Sequence, residues 1–157
     1  SRFQLASAEA KAGETDKAVA AYEALAEDRN VDPILKGLAT LQAATLRLDT
    51  ADYSEMQERL GALANGPSSW RFSAKELLGL SAFQNKDIRA AEEQFSALSV
   101  DSGAPPNMRE RADVMLALII AQSAVESSPK PAEPTSEADA PDTPEPDGPK
   151  QDESQTN

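Results

Sequence analysis

Residues 5–28, LASAEAKAGETDKAVAAYEALAED, return in altered form at residues 78–101 as LGLSAFQNKDIRAAEEQFSALSVD. At an offset of 73, Leu5 aligns with Leu78, Ala6 with Gly79, Ala18 with Ala91, Tyr22 with Phe95, Leu25 with Leu98 and Asp28 with Asp101. The offset is about twice 36, and internal periods near 34 residues mark stacked helix–turn–helix units. One helical hairpin cannot bury both of its faces, so such units fold as a stack. Stacks of this kind are far more often binding scaffolds than catalysts, and the repeat therefore sets both the expected fold and the kind of function to look for.

Working outward, the punctuation predicts seven helices over 1–125. The first runs from about Arg2 to Ala12 and stops at Gly13, which suits a left-handed C-terminal cap. The second opens at Thr15 or Asp16, either of which can cap it, and ends near Glu27. Asp32-Pro33 starts the third, which continues to about Leu48. Asp52 with Glu55 three residues on resembles a capping box for the fourth, which ends near Asn65-Gly66-Pro67. The fifth runs from about Ser69 to Asn85, Asp87 opens the sixth, and Pro105-Pro106 leads into a seventh reaching about Ala124. Apolar residues recur at three and four, as in Leu38, Leu41, Thr45 and Leu48, in Leu77, Leu80, Ser81 and Gln84, and in Val114, Leu118, Ala121 and Val125. There is no sustained two-residue alternation and no Asn-Gly or Asp-Gly hairpin between β-branched runs, so the fold is read as all-α.

These helices pair into three hairpins and a closing helix. The middle hairpin, about 33–65, is the degenerate copy: an offset of 38 puts Met56 on Ala18, Leu60 on Tyr22 and Leu63 on Leu25. A small residue on each second helix (Ala18, Ala91) lets backbones approach, and an aromatic one turn on (Tyr22, Phe95) fills the gap between hairpins. Helix seven, with Met115, Leu116, Leu118, Ile119 and Ile120, is expected to cover the third hairpin.

Composition divides the chain unevenly. Residues 126–157 hold nine acidic and two basic residues, seven of the eleven prolines and no aromatic, Val, Ile, Leu or Met residue. So little apolar surface cannot offset ordering entropy, and this segment is read as a disordered acidic, proline-rich tail behind a 1–125 repeat domain. With a net charge of −12 the chain lacks the basic stripe that nucleic acid requires. Cysteine is absent, which leaves neither disulfide nor thiol chemistry and fits cytosol and periplasm equally. The longest apolar run, Val114 to Ala121, is too short to span a bilayer. The sequence opens at Ser1 without Met, inside an expected helix, so a trimmed N-terminus is the expectation.

Gly13, Ala18, Tyr22 and Leu25, copied as Ala91, Phe95 and Leu98, resemble tetratricopeptide repeats. Over 70–118 the likeness sharpens: Trp70, Ala74, Glu76, Gly79, Asp87, Ala90, Ala91 and Phe95 precede a proline-led helix with Arg111, Ala112 and Met115. This arrangement is similar to the C-terminal part of the YfgM-like proteins, ancillary subunits associated with the bacterial Sec translocon, alphaproteobacterial members above all. The layout covers nearly all of 1–125, the recognisable residues only about 70–118. The resemblance implies a single membrane anchor upstream of Ser1 and a periplasmic domain at the inner membrane. Its implied partners are other proteins: translocon subunits, periplasmic chaperones or translocated clients. It supplies no catalytic residue, and the tail has no counterpart in it.

No catalytic or metal-binding pattern emerges and no cofactor is expected. The chain has no His and no Cys, which removes the commonest acid–base residue and most zinc sites. Phosphate-binding glycine loops and GxSxG are missing. Adjacent carboxylates such as Glu92-Glu93 read as solvated helix faces, and the tail acids lack the spaced ligands and turn glycine of a calcium loop. The candidate partner-binding surface, placed by analogy with the repeat, is the inner face of the first helices: Phe3, Ser7 and Lys11, then Leu41, Thr45 and Leu48, then Glu76, Leu80 and Phe83. Against it stands the ordinary alternative that helix seven or a neighbouring hairpin covers Leu80 and Phe83. Trp70 is either an exposed anchor for a partner or, the plainer reading, a packing residue between the second and third hairpins. Arg109 and Arg111 read as helix charges with intramolecular partners. The tail is read as a spacer or electrostatic shield before a docking segment. Two functions follow: a non-enzymatic protein-binding module, or an assembly subunit of an envelope complex that exchanges no clients. Oligomeric state is left open.

Overall fold

The computed structural model describes residues 1–128 and Gly148. Residues 1–127 form one compact unit. The expected tail lies, from 129 on and apart from Gly148, outside the described residues. Seven helices and no strand make up the described residues: α1 (Arg2–Lys11), α2 (Thr15–Glu27), α3 (Pro33–Arg47), α4 (Tyr53–Asn65), α5 (Arg71–Gln84), α6 (Ile88–Val100) and α7 (Pro106–Glu126). Each helix packs on its neighbour in sequence, and α3 and α7 each also touch α5, as a stack of hairpins requires.

Most ends follow local chemistry. Asp32 accepts from the Ile34 amide at 2.8 Å with Pro33 in the first turn, and Asp87 accepts from the Ala90 amide at 3.1 Å. Gly13 stands at φ +78°, as its place after α1 suggested. Two starts depart from expectation. Neither Thr15 nor Asp16 caps α2; the N-cap is Glu14, whose carboxylate takes Lys17 at 2.7 Å instead of a helix amide. At α4, Asp52 accepts from the Glu55 amide at 2.8 Å, but the Glu55 carboxylate turns to Arg47 and Arg59, so only half of a capping box forms.

The position equivalent to Gly13 in the second copy is Lys86, at φ 61°. A side chain there costs about 1–2 kcal/mol relative to the right-handed region. Lys86→Gly is therefore expected to raise stability by about 0.5–1 kcal/mol, and Gly13→Ala to lower it by about 1 kcal/mol, in paired urea titrations.

The repeat's equivalences hold in the core. Ala18, Tyr22 and Leu25 are buried, as are Ala91, Phe95 and Leu98, and in the middle copy Met56 and Leu60. Leu5 and Leu78 do not behave alike: Leu5 is 61% exposed and Leu78 only 3%. α1 packs on α2, whereas α5 lies among α3, α4, α6 and α7, so one position in the phrase meets two environments.

The three- and four-spaced residues that mark the helices coincide only in part with their buried faces, through Leu41 and Ser81. In α3 the buried residues are Gly37, Ala39, Leu41, Ala43 and Ala44, while Thr45 is exposed. In α5 Phe72, Ala74, Leu78, Gly79, Ser81 and Ala82 are buried, and Gln84 is exposed. Small residues sit where helices approach most closely: a Cβ on Gly79 would stand 2.8 Å from the Phe95 ring. α7 departs furthest. Met115, Leu116 and Ile119 pack against the third hairpin, but Leu118 and Ile120, expected to do the same, are 48% and 65% exposed.

Candidate functional site

Placed on the structure, the apolar groove residues Phe3, Leu41, Leu48, Leu80 and Phe83 are divided among three core clusters. Phe3 meets Tyr22 edge to face, with ring centroids 5.2 Å apart, in the α1–α2–α3 cluster. Leu41 is buried in the α3–α4–α5 cluster, with Leu48 packed beside it. Leu80 and Phe83 lie half-buried against the α5–α6–α7 cluster, which also contains Ile119 of α7. Ser7 is half-buried and Lys11 is exposed on the last turn of α1. The Thr45 hydroxyl donates to the Leu41 carbonyl at 2.8 Å. Glu76 is held by a two-pronged bond from Arg111, at 2.6 and 3.0 Å. As core, Leu41 forms no part of an open groove. The side chain of Arg111 thus has its intramolecular partner, whereas the Nε of Arg109 is buried with none among the described residues.

A well-formed hollow lies elsewhere, between the first turns of α3 and the last turns of α4, with residues 66–69 completing its lining. It measures about 610 Å³, and Pro33, Ile34, Gly37, Ala62, Leu63 and Pro67 give it an apolar lining. Ile34 is 60% exposed there, and Leu35 beside it is 47% exposed. Lys36, Thr40 and Arg59 supply its polar rim. A second hollow of about 210 Å³ shares Thr40 and Arg59 and continues past them to Glu23 and Glu27 of α2. The combined surface grades from apolar to charged.

Trp70 shapes the first hollow from behind. Its indole N–H donates to the Ile34 carbonyl at 2.9 Å, and its ring lies so close to Gly37 that a Cβ there would stand 2.5 Å from Cδ1. The residue therefore packs the third hairpin on the second and fixes α3's first turns. Arg59 is fixed too, bonded to Glu23 of α2 and to Glu55 at 2.9 Å, while Arg47 takes Glu55 at 3.1 Å. Arg47 and Arg59 together hold the Glu55 carboxyl below its usual range. The rim of the hollow is thus built on an ion-pair network spanning α2, α3 and α4.

This hollow escaped the sequence reading because Ile34 is in phase with Leu38 and Leu41 and so looks like core. The available signal was its place at the helix start, next to Pro33, where the stripe runs past the end of the stack. No helix among the described residues is long and apolar enough to cross a membrane. Compared with known proteins, the chain matches no family model, no curated protein and no solved structure.

Proposed function

We propose that this chain is a non-enzymatic protein-binding module that takes an apolar segment of another protein into the hollow between α3 and α4. The observation that carries the reading is that hollow: about 610 Å³, open to solvent, apolar in lining and rimmed by Lys36 and the ion-paired Arg59. Concave apolar sites with a few placed polar groups are where peptides and helices anchor. Glu23 and Glu27 beyond Arg59 suit a segment in which a basic residue follows the apolar anchor. The resemblance over 70–118 supports the setting: an inner-membrane protein displaying the domain in the periplasm, assisting Sec-dependent translocation or envelope chaperone networks.

Ile34→Glu puts a charge in the hollow at an exposed position, so the fold is expected to survive. Crosslinking and pull-down from membranes is expected to recover translocon subunits or unfolded clients with the parent chain and to lose them, at least about 10-fold, with the variant. Equal recovery by both chains overturns the hollow as the site. A single stoichiometric envelope partner, with no clients, favours the assembly-subunit reading. An apolar segment of about 20 residues, or a signal peptide, encoded upstream of Ser1 is the expectation for the periplasmic placement, and its absence from the gene removes that placement.

A further inference from the structure

The second exposed apolar surface belongs to α7 and involves different elements from the hollow. From Val114 to Val125 this helix carries no charged residue. One side of it is used up, with Ala112 and Ile119 buried and Met115 and Leu116 packed on the third hairpin. The opposite side shows Val114 at 67%, Leu118 at 48% and Val125 at 74% exposure, with Ala121 between them and Ile120 on the flank. Helices that end a stack ordinarily turn a polar face outward. This one does not, and residues 126–157 include no Val, Ile, Leu, Met or aromatic side chain.

We propose that the occupant of this face is a second copy of the chain, with the two α7 helices packed antiparallel about a two-fold axis. The spacing carries the inference. Val114, Leu118, Ala121 and Val125 are separated by four, three and four residues, a pattern that reads the same in either direction. A two-fold contact needs that self-complementarity, because each residue must meet its counterpart in reverse order. Antiparallel pairing sets Val114 against the second copy's Val125, and Leu118 against its Ala121. Large then meets small at the centre, as interdigitating helices require. Electrostatics point the same way. Two chains of net charge −12 repel, and this uncharged stretch lets helices touch without apposing like charges across the centre. The exposed side chains offer on the order of 500 Å² per copy, so a pair buries about 1,000 Å², near the lower limit for a specific interface. A contact of this size belongs to the weak, reversible end of specific association. It tightens with added salt, because screening removes the repulsion between acidic chains.

Sedimentation velocity on the full chain, across protein concentration and at low and high salt, is expected to show a monomer–dimer equilibrium that shifts toward dimer as salt rises. Leu118→Glu is expected to weaken it at least about 100-fold by placing like charges near the axis. Leu5→Glu, at an exposed apolar position on α1, is expected to leave it unchanged. Leu118 is half exposed, so the variant should melt within a few degrees of the parent; if it does not, Val125→Glu gives the same test from a more exposed position. Because the chain has no cysteine, single-cysteine variants report geometry. With a short bis-maleimide, Ala121→Cys is expected to crosslink to itself, since the two sites are offset by only about 5 Å along the helices. Val114→Cys, offset by about 16 Å from its counterpart, is expected not to.

A chain that stays monomeric up to millimolar concentration overturns the inference, as does a dimer that survives both charged variants. Open-ended oligomers lost in Leu5→Glu overturn it in favour of head-to-tail stacking. A monomer whose α7 face instead binds a helix of another protein also overturns it. None of these results bears on the α3–α4 hollow, which the Ile34→Glu pull-down tests separately.

Discussion

Phe95→Ala is expected to destabilise the domain by about 3–5 kcal/mol, the largest effect of any single truncation considered for this chain. The ring is 1% exposed and lies in the cluster that joins α5, α6 and α7. Its edge rests on the bare backbone of Gly79, where a Cβ would come within 2.8–3.0 Å of three ring atoms. Truncation leaves a cavity that such closely opposed helices cannot collapse. Against a total stability of about 5–15 kcal/mol, the loss should appear as a melting-temperature drop on the order of 15 °C and a much lower urea midpoint. Gly79→Ala on its own is expected to cost about 1–3 kcal/mol by overpacking against the ring. In a Phe95→Leu background the same change should be neutral or favourable, because the clash is gone and alanine gains helix propensity. A double-mutant cycle measures that coupling, and additive effects would show that the ring and the glycine do not constrain each other.

Trp70→Ala is expected to cost about 2–3 kcal/mol, somewhat less because the indole is only partly buried. Two losses combine in it. The ring leaves the gap over Gly37, and the Ile34 carbonyl loses a hydrogen bond worth about 1 kcal/mol. Trp70→Phe separates them: packing is largely retained and only the N–H is lost, so about 1 kcal/mol should go. The residue is the sole tryptophan, so its fluorescence reports the docking of the third hairpin on the second without labelling. Gly37→Ala, which drives a methyl into Cδ1, is expected to shift the emission to longer wavelength as the ring is pushed into solvent. Unchanged emission and stability in both variants would mean that Trp70 does not hold α3. The consequence reaches function, since Gly37 lies against that ring and also lines the hollow.

Local chemistry in this chain was legible to within a few residues. Asp32-Pro33, Asp52 and Asp87 each mark a helix start because a short acidic side chain reaches a free amide two or three residues on. Glu14 shows the limit: one methylene longer, it bonds Lys17 and leaves the amides of α2 uncapped by any side chain. The candidate site was much less legible. Leu41, Leu80 and Phe83 are placed in a groove by analogy with the repeat, and in the fold they belong to or pack against core clusters that include their own hairpins. Ile34, which the sequence reading did not single out, is 60% exposed at the hollow.

By itself, then, the sequence determined that residues 1–127 are helical, where most of the helices start and stop, and which residues of the repeated phrase are equivalent in the core. Those properties depend on hydrogen bonds and side chains within a few residues of each other. Only the tertiary structure decided which face of each helix is buried. Helices α3 and α5 are enclosed on more than one side, and their buried positions include Gly37, Ala39, Ala43, Gly79 and Ala82, residues that carry almost no hydrophobic signal. The same rule leaves Val114, Leu118 and Val125 exposed on α7, because the buried side of that helix is set by Ala112 and Ile119 against the third hairpin. Apolar spacing identifies a helix; the neighbours that approach it choose the side.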